Sequence, residues 1–138
     1  MKSKTPLSAH KTVMLIDDNE IDNFINEKII KSANFAENVY VHTSAKSALE
    51  FLKNISALST VSAELIPSYI FLDINMPILD GFHFLTEFEN FPASFKSSIK
   101  IVMLTTSLNP SDVERSKPFK NVVKYLYKPL IEKDLGDL

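Results

Sequence analysis

The chain has 138 residues, of which 45% are hydrophobic and 23% charged, which fits one folded domain with a full core rather than a disordered chain. Its 15 basic and 17 acidic residues give a net charge of −2, and a single arginine, Arg115, argues against direct nucleic-acid binding. The lack of cysteine excludes disulfides, thiolate zinc sites and cysteine nucleophiles, and the two glycines, Gly81 and Gly136, cannot form a dinucleotide-binding or P-loop motif.

The sequence carries no readable signal for export or membrane insertion. No apolar run approaches the length of a membrane span, and residues 1–11 lack the apolar core of a secretory signal. We therefore expect a cytoplasmic protein that does not bind membranes. Residues 1–11 are predicted to form a flexible N-terminal tail, and residues 12–138 a single domain.

Strand-like apolar segments alternate with segments of helical spacing along the chain. Residues 12–16 predict the first strand, and a helix with Asp18 or Asn19 as its cap follows. Residues 39–41 predict a second strand, and Thr43 or Ser44 caps the next helix. The apolar positions of these two helices are Ile21, Phe24, Ile25 and Ile29 in the first and Ala48, Leu49 and Leu52 in the second.

The second half of the chain continues this alternation. A long connection over residues 53–68 precedes three further strands, predicted at residues 69–72, 99–104 and 122–127. A third helix is predicted to begin near Asp80-Gly81, with Phe84, Leu85 and Phe88 facing inward. A fourth helix of about two turns is predicted between Asn109-Pro110 and Pro118, and a short final helix follows the last strand. Five strands alternating with helices predict an α/β protein with a doubly wound parallel sheet and helices on both faces.

Charged residues stand where three of the apolar strands stop. Asp17 and Asp18 follow the first strand, Asp73 follows the third and Lys128 the fifth. Parallel strands bring their carboxyl ends to one sheet edge, so these four residues are expected to converge. Three carboxylates repel one another, and a hard dication such as Mg²⁺ offsets that repulsion. The set predicts a site for a divalent cation and a phosphoryl group, with Asp73 as nucleophile and Lys128 pairing with the new charge.

A purely structural interpretation of the same residues is also open. Asp17 and Asp18 could cap the first helix, and Asp73 could begin a turn, since acidic residues after a strand are common. The coincidence of all three acids with Lys128-Pro129 favours the functional interpretation. No chemical role is assigned to the three histidines, because metal-ligand spacing does not link His10, His42 and His83.

Four motifs occur in the chain in a fixed order. They are Ile16-Asp17-Asp18-Asn19, the run Leu-Asp-Ile-Asn-Met-Pro-Ile-Leu-Asp-Gly at residues 72–81, Met103-Leu104-Thr105, and Tyr127-Lys128-Pro129. With these motifs the chain resembles response regulator receiver domains of two-component signalling, of the chemotaxis-regulator type, over about residues 11–135. The resemblance implies a flavodoxin-like sheet with strand order 2-1-3-4-5.

The resemblance also implies a role for each acidic residue. Asp73 is the phosphoacceptor, which takes a phosphoryl group from a histidine kinase or a histidine phosphotransfer protein. Asp18 binds Mg²⁺ directly, Asp17 assists through water, and Asn75 contributes its backbone carbonyl oxygen. Mn²⁺ is expected to substitute for Mg²⁺.

The same resemblance implies that further residues contact the phosphoryl group or respond to it. Lys128 contacts its oxygens, and the peptide bond from Lys128 to Pro129 is expected to be cis. Thr105 turns inward to bond the phosphoryl group, and Tyr125 follows it, so that phosphorylation switches partner binding. Thr106 is the alternative to Thr105, one position away.

Two other functions fit parts of the pattern. A haloacid-dehalogenase-like phosphatase also uses a strand-end aspartate with Mg²⁺, but typically carries a second Asp two residues on as general acid, where this chain has Asn75. An inactive receiver-like module normally lacks the acceptor or an acid, all of which are present here. We therefore expect a phosphoacceptor switch rather than an enzyme acting on other substrates.

The resemblance extends to phosphate lifetime and to assembly. Asn75 and Ser107 are expected to modulate hydrolysis of the aspartyl phosphate. Only 10 residues follow Lys128, which predicts a stand-alone receiver or one cut from a longer protein. Its downstream partner is expected to be a protein, and the chain itself a monomer or a weak phosphorylation-dependent dimer.

Overall fold

Five parallel strands form one sheet at the centre of the molecule. The computed structural model describes residues 8–58, 62–76, 78–106 and 109–138. The strands are β1 (His10–Ile16), β2 (Ala36–His42), β3 (Tyr69–Asp73), β4 (Lys100–Thr105) and β5 (Val122–Tyr127). Their order in the sheet is β2-β1-β3-β4-β5, which confirms the predicted doubly wound α/β class and the flavodoxin-like strand order.

Helices connect the strands and cover both faces of the sheet. They are α1 (Glu20–Ser32), α2 (Ala45–Ser56), α3 (Gly81–Phe88), α4 (Ala93–Lys96), α5 (Pro110–Ser116) and α6 (Glu132–Gly136). In the long connection before β3, α2 continues to Ser56 and a 3-10 helix covers Ala63–Leu65. Within the described ranges, no helix is long and apolar enough to cross a membrane.

Side-chain caps fix the starts of four helices where the sequence predicted them. The oxygens that accept from first-turn N–H groups belong to Asn19 in α1, Ser44 in α2, Asp80 in α3 and Asn109 in α5. Each cap of this kind stabilises a helix by about 1 kcal/mol. The assignment of the first helix to a cap at Asn19 leaves the preceding two carboxylates available for other contacts.

Alternation along the central strands divides the core into two clusters. In β1, Met14 and Ile16 pack with α2 and α3, whereas Val13 and Leu15 pack with α1 and α6. Both faces of the sheet are therefore buried, and the central strands are continuous apolar runs rather than alternating ones. This two-sided burial also fixes the positions at which the strands end, and with them the charged residues that follow.

β1 begins two residues earlier than the sequence predicted. Its first residue is His10 rather than Thr12. The His10 ring packs against Phe35 and Tyr69, with ring centroids 4.6 and 5.1 Å apart. His10 and Lys11 therefore belong to the sheet and not to a tail, and residues 1–7 of the predicted tail lie outside the described ranges.

The phenylalanines around α3 form core, as expected, but also build a helical turn that the sequence did not predict. α4 follows Pro92, and the buried rings of Phe91 and Phe95 lie 5.4 Å apart on either side of that residue. The ring of Phe88, at the end of α3, continues this contact at 5.6 Å from Phe91. Aromatic packing thus holds a turn too short to be stable by itself.

The apolar spacing of α1 predicts the helix but not its buried face. Ile21 is 70% exposed, Phe24 62% and Ile25 38%. The side chains that α1 buries are instead those of Asn23, Asn26 and Ile30. Two of the three are polar, and of the four predicted apolar positions Ile29 is partly buried against the core, so hydrophobicity alone selects mostly the wrong side of this helix.

Hydrogen bonds to two loops account for the orientation of α1. Asn23 Nδ2 donates to the carbonyl oxygen of Asp17 at 2.8 Å, and Asn26 Oδ1 accepts from the N–H of Leu130 at 2.9 Å. Leaving such a buried backbone group without a partner costs about 1–3 kcal/mol. The two asparagines therefore tie α1 to the loops after β1 and after β5, and the apolar residues on the other side face solvent.

Candidate functional site

Three carboxylates meet at the carboxyl edge of the sheet. β1 and β3 are neighbours, with Ile16 paired to Leu72, so the next residues, Asp17 and Asp73, come to lie side by side. One ligand oxygen each from Asp17, Asp18 and Asp73 lies within 4.8 Å of the others. Asp17 and Asp73 are buried and Asp18 is exposed. The predicted convergence of the acids is therefore present, with one acid open to solvent.

Lys128 reaches this cluster from the end of β5. Its Nζ atom lies 2.9 Å from Asp17 Oδ2, 2.9 Å from Asp22 Oδ2 and 3.4 Å from Asp73 Oδ1. The lysine side chain is 9% exposed. A buried ammonium thus faces three carboxylates, and it is hydrogen-bonded to two of them, neither of which is Asp73.

Backbone hydrogen bonds fix the geometry of the loops that carry these groups. Asp17 Oδ1 accepts from the N–H of Asn19 at 2.9 Å, and Asp73 Oδ1 accepts from the N–H of Asn75 at 3.3 Å. The N–H of Lys128 donates to the carbonyl oxygen of Thr105 at 2.8 Å. The interpretation of Asp17 as a helix cap is wrong, because Asn19 caps α1, and the Asp17 carboxylate accepts instead from the N–H of Asn19 and from Lys128 Nζ.

Burial and charge perturb the pKa of Asp73. Desolvation, with the Asp17 carboxylate as the next cause, raises the pKa of Asp73 to about 7, against the opposing effect of the Lys128 ammonium. Burial alone would lower the pKa of Lys128, but hydrogen bonds to Asp17 and Asp22 outweigh it and raise the pKa above its ordinary value. Lys128 is therefore a permanent cation, whereas Asp73 gains or loses its charge close to neutral pH.

The loop after β3 passes close to the Asp73 backbone. A Cβ atom at Gly81 would lie 2.8 Å from the Asp73 carbonyl oxygen, so a side chain there would displace the loop. Ile78, in the same loop, has a φ of 67° and is 99% exposed. For a β-branched residue this conformation costs about 1–2 kcal/mol.

The remaining predicted residues lie at the same edge or on the adjoining strand. Thr105 ends β4 and is buried, whereas Thr106 is exposed. Tyr125 lies on β5, and its hydroxyl donates to the carbonyl oxygen of Asp112 in α5 at 3.1 Å. Asn75 is exposed beside Asp73.

Two further predictions concern the loops after β4 and β5. Ser107, predicted as a hydrolysis modulator, lies outside the described ranges. The peptide bond between Lys128 and Pro129 is cis.

The acidic cluster fits a magnesium ion. Carboxylate oxygens are the ligands that Mg²⁺ prefers, and Asp18 is open to the solvent from which the ion and its waters enter. Burial and the Asp17 carboxylate raise the pKa of Asp73, so a bound cation would favour its ionised form. Asp17, Asp18 and Asp73 would hold the ion, which when bound would neutralise charge on an incoming phosphoryl group.

Comparison with known proteins identifies the family. A sequence model described as the response regulator receiver domain matches residues 13–138. The chain belongs to the response regulator receiver family. Receiver domains are signalling modules of two-component systems rather than conventional enzymes, and they interact with histidine kinases or phosphotransfer proteins and with downstream targets.

Individual relatives agree with this assignment. The response regulator Rcp1 of Synechocystis sp. is 29% identical over 125 residues, which cover 91% of this receiver and 81% of Rcp1. A two-component response regulator from Cytophaga hutchinsonii is 30% identical with a TM-score of 0.81, covering 93% of this chain and 92% of that one. A receiver protein from Dyadobacter fermentans is 25% identical with a TM-score of 0.78, at 92% and 93% coverage.

One residue of the receiver site was missed by the sequence interpretation. Asp22 contacts Lys128 as closely as Asp17 does. It belongs to none of the four motifs, so the resemblance does not mark it. The available signal was the cap at Asn19, which places Asp22 in the first turn of α1, next to the loop that carries Asp17.

Proposed function

We propose that this receiver accepts a phosphoryl group on Asp73 in a magnesium-dependent reaction in the cytoplasm, from a histidine kinase or a histidine phosphotransfer protein. The observation that carries the proposal is the ammonium of Lys128, buried among Asp17, Asp22 and Asp73 at the sheet edge. A buried cation beside a carboxylate that is only 3.4 Å away is suited to the extra negative charge that a phosphoryl group brings.

The proposed transfer needs the ionised form of Asp73. A carboxylate oxygen attacks phosphorus, the bond from phosphorus to the donor imidazole nitrogen breaks, and its electron pair stays with that nitrogen, so that an imidazole already protonated on its other nitrogen leaves as a neutral group. Lys128 stabilises the charge that gathers on the phosphoryl oxygens. Because the pKa of Asp73 is about 7 without a cation, bound Mg²⁺ also favours the reactive, ionised carboxylate.

Asn75 argues for a switch over a phosphatase. The residue two positions after the nucleophile is an amide, which neither donates nor accepts a proton at useful pH. A phosphatase of the haloacid-dehalogenase type needs an acid there to protonate its leaving group. An imidazole or a carboxylate leaves without such help, which matches phosphohistidine and acetyl phosphate as donors.

A mass measurement tests the proposed function. Incubation with acetyl phosphate and Mg²⁺ should add one phosphoryl group to the intact protein, and Asp73→Asn or removal of Mg²⁺ should abolish that gain. A gain retained in Asp73→Asn would place the acceptor elsewhere. Absence of any gain, with acetyl phosphate and with a phosphorylated histidine donor, would refute the proposal, and turnover of phosphate monoesters would favour a phosphatase.

Thr105 is proposed to couple the phosphoryl group to partner binding, with Tyr125 as the second switch residue. Thr105→Ala should accept phosphate at an unchanged rate, because the side chain is not a ligand of the reacting carboxylate in this proposal, but should weaken the response to phosphorylation. The measurement is the chemical-shift change of Tyr125 and of α5 on phosphorylation. Thr106→Ala is the matched control, and equal responses in both variants would remove Thr105 from the switch.

The exposed apolar side of α1 is proposed as the contact for the protein phosphodonor. Ile21 precedes Asp22, which touches Lys128, so this surface adjoins the site that a donor histidine must reach. Phe24 continues it, with Lys28 Nζ 5.4 Å from its ring centroid. Exposed apolar groups gathered in this way mark contacts with other proteins.

The double substitution Ile21→Ser with Phe24→Ser tests this contact. Transfer from a cognate histidine protein should slow by about tenfold or more, which is the loss of roughly 1.4 kcal/mol of binding. Phosphorylation by acetyl phosphate should be unchanged, since a small donor needs no docking surface. The exposed apolar residue Val123, on the β5 edge of the sheet, supplies the control Val123→Ser. Equal slowing by the control would contradict the assignment.

A further inference from the structure

Asp22 is a fourth carboxylate at the site, and it has no role in the proposed phosphoryl transfer so far. Its Oδ2 atom lies 2.9 Å from Lys128 Nζ, and its side chain is 31% exposed. Asn19 already accepts from the N–H of Asp22, so the start of α1 is capped without this carboxylate. The Asp22 side chain is thus free to hold the lysine.

The hydrogen-bonding capacity of an ammonium group makes this contact consequential. Lys128 has three N–H donors in a tetrahedral arrangement. Two of them are directed to Asp17 and Asp22, which are themselves fixed by β1 and by α1. The third N–H is not bonded to Asp73, whose nearest oxygen lies 3.4 Å from Nζ without the geometry of a hydrogen bond.

We propose that Asp22 is a positioning residue, which together with Asp17 orients the Lys128 ammonium so that its third N–H points to the phosphoryl oxygens of a reacting or phosphorylated Asp73. This inference rests on the proposed function. A lysine is a flexible point charge on a four-carbon stem, and one anchor would leave it free to rotate onto Asp73 itself. A second anchor, on a different element, holds the ammonium off the nucleophile until a phosphoryl group arrives.

Two substitutions at Asp22 separate positioning from charge. Asp22→Asn removes the charge but keeps an oxygen that accepts one N–H from Lys128, whereas Asp22→Ala removes both. Glu20→Gln is the matched control, because Glu20 lies in the same first turn, is exposed and forms no ion pair with another described residue. It removes one negative charge without touching Lys128.

The rate of phosphorylation is measured by intact mass at saturating Mg²⁺ over a range of acetyl phosphate concentrations. Asp22→Ala should lower the maximal rate by about tenfold, since a misplaced charge-stabilising donor costs roughly that much or more. Asp22→Asn should recover most of that loss, and Glu20→Gln should leave the maximal rate unchanged. The acetyl phosphate concentration for half-maximal rate should change little in Asp22→Ala.

A second measurement uses the metal-free, unphosphorylated protein. The Lys128 ammonium should give a slowly exchanging ¹⁵N-correlated NMR signal in the wild type and in Asp22→Asn, and should lose it in Asp22→Ala. The proposal is overturned if Asp22→Ala and Asp22→Asn have equal maximal rates, or if both match Glu20→Gln. A wild-type protein that gains no phosphate would instead refute the proposed function, and the ammonium signal would still report whether Asp22 positions Lys128.

Discussion

Asp73→Asn is expected to stabilise the metal-free protein at neutral pH while it abolishes phosphorylation. The folded protein holds the Asp73 carboxyl at a pKa of about 7, far above the value of about 3.9 in an unfolded chain. Because its pKa is raised in the folded protein, the contribution of Asp73 to the free energy of unfolding is fully present below about pH 4. That contribution is lost as the pH rises to about 7. Asparagine has no charge to desolvate or to repel Asp17, so it avoids that loss.

The expected increase in the free energy of unfolding of Asp73→Asn has a definite size and pH dependence. Three pKa units correspond to about 4 kcal/mol at most, and relaxation of the site reduces this to about 2 kcal/mol above pH 7. The difference in the free energy of unfolding between Asp73→Asn and the wild type should grow from pH 4 to pH 7 and stay constant at higher pH. Urea unfolding with EDTA present, over this pH range, measures it.

Magnesium supplies an internal control for this prediction. Mg²⁺ binds the folded wild type and stabilises it by mass action, so the advantage of Asp73→Asn should shrink or reverse as Mg²⁺ is added. Asp137→Asn is the matched substitution, because Asp137 is a half-exposed carboxylate at the end of α6. An Asp73→Asn protein no more stable than Asp137→Asn at pH 8 would contradict the raised pKa.

Elements whose boundaries are set by local chemistry were predictable from the sequence. β5 spans Val122–Tyr127 as expected, and α5 begins at Pro110 after its Asn109 cap. In both cases a strand run or a cap-and-proline pair determines the structure without help from distant residues. The convergence of Asp17, Asp73 and Lys128 was also predictable, since parallel strands place their carboxyl ends together.

Features that depend on tertiary contacts were not predictable. The face of α1 is set in part by Asn26, whose side-chain oxygen accepts from the N–H of Leu130 far along the chain, and this contact overrides the apolar spacing of the helix. His10 joins β1 and packs on the ring of Phe35, just before β2, and on the ring of Tyr69 in β3. The contact between Asp22 and Lys128 joins residues separated by 106 positions. None of these pairings has a local signature.

The same contacts leave the charges at the site only partly balanced. Asp17 and Asp22 bind the lysine, so the protein tolerates one buried cation, but burial and the Asp17 carboxylate raise the pKa of Asp73, and its ionised form costs stability unless positive charge is added. The ionised form of Asp73, the residue proposed to react, therefore destabilises the folded protein. Substitution of Asp73 should consequently raise the free energy of unfolding, whereas substitution of Lys128 should lower it.

Lys128→Met is expected to destabilise the metal-free protein by about 3 kcal/mol, because loss of one partner of a buried ion pair leaves the other charges uncompensated. Methionine matches the lysine stem as far as Cε and lacks only the ammonium, so packing of the stem is largely kept. The pKa of Lys128 is raised above its ordinary value, mainly by hydrogen bonds to Asp17 and Asp22 that outweigh its burial, so its charge is constant at neutral pH. The pH dependence of the variant therefore comes from the acids, and its stability should recover as the pH falls and Asp73 is protonated.

Magnesium separates this electrostatic effect from a packing defect. Mg²⁺ replaces part of the missing positive charge, so it should raise the melting temperature of Lys128→Met by more than that of the wild type. Lys117→Met is the control, since Lys117 forms an exposed pair with Glu114 whose loss costs about 1 kcal/mol or less. Two results would show that the ammonium does not balance the acids. One is a loss of stability in Lys128→Met, measured with EDTA, no larger than that in Lys117→Met. The other is a rise in melting temperature on addition of Mg²⁺ no larger than that of the wild type. The predicted pattern would instead establish Lys128 as the charge that allows three carboxylates to share one edge of the sheet.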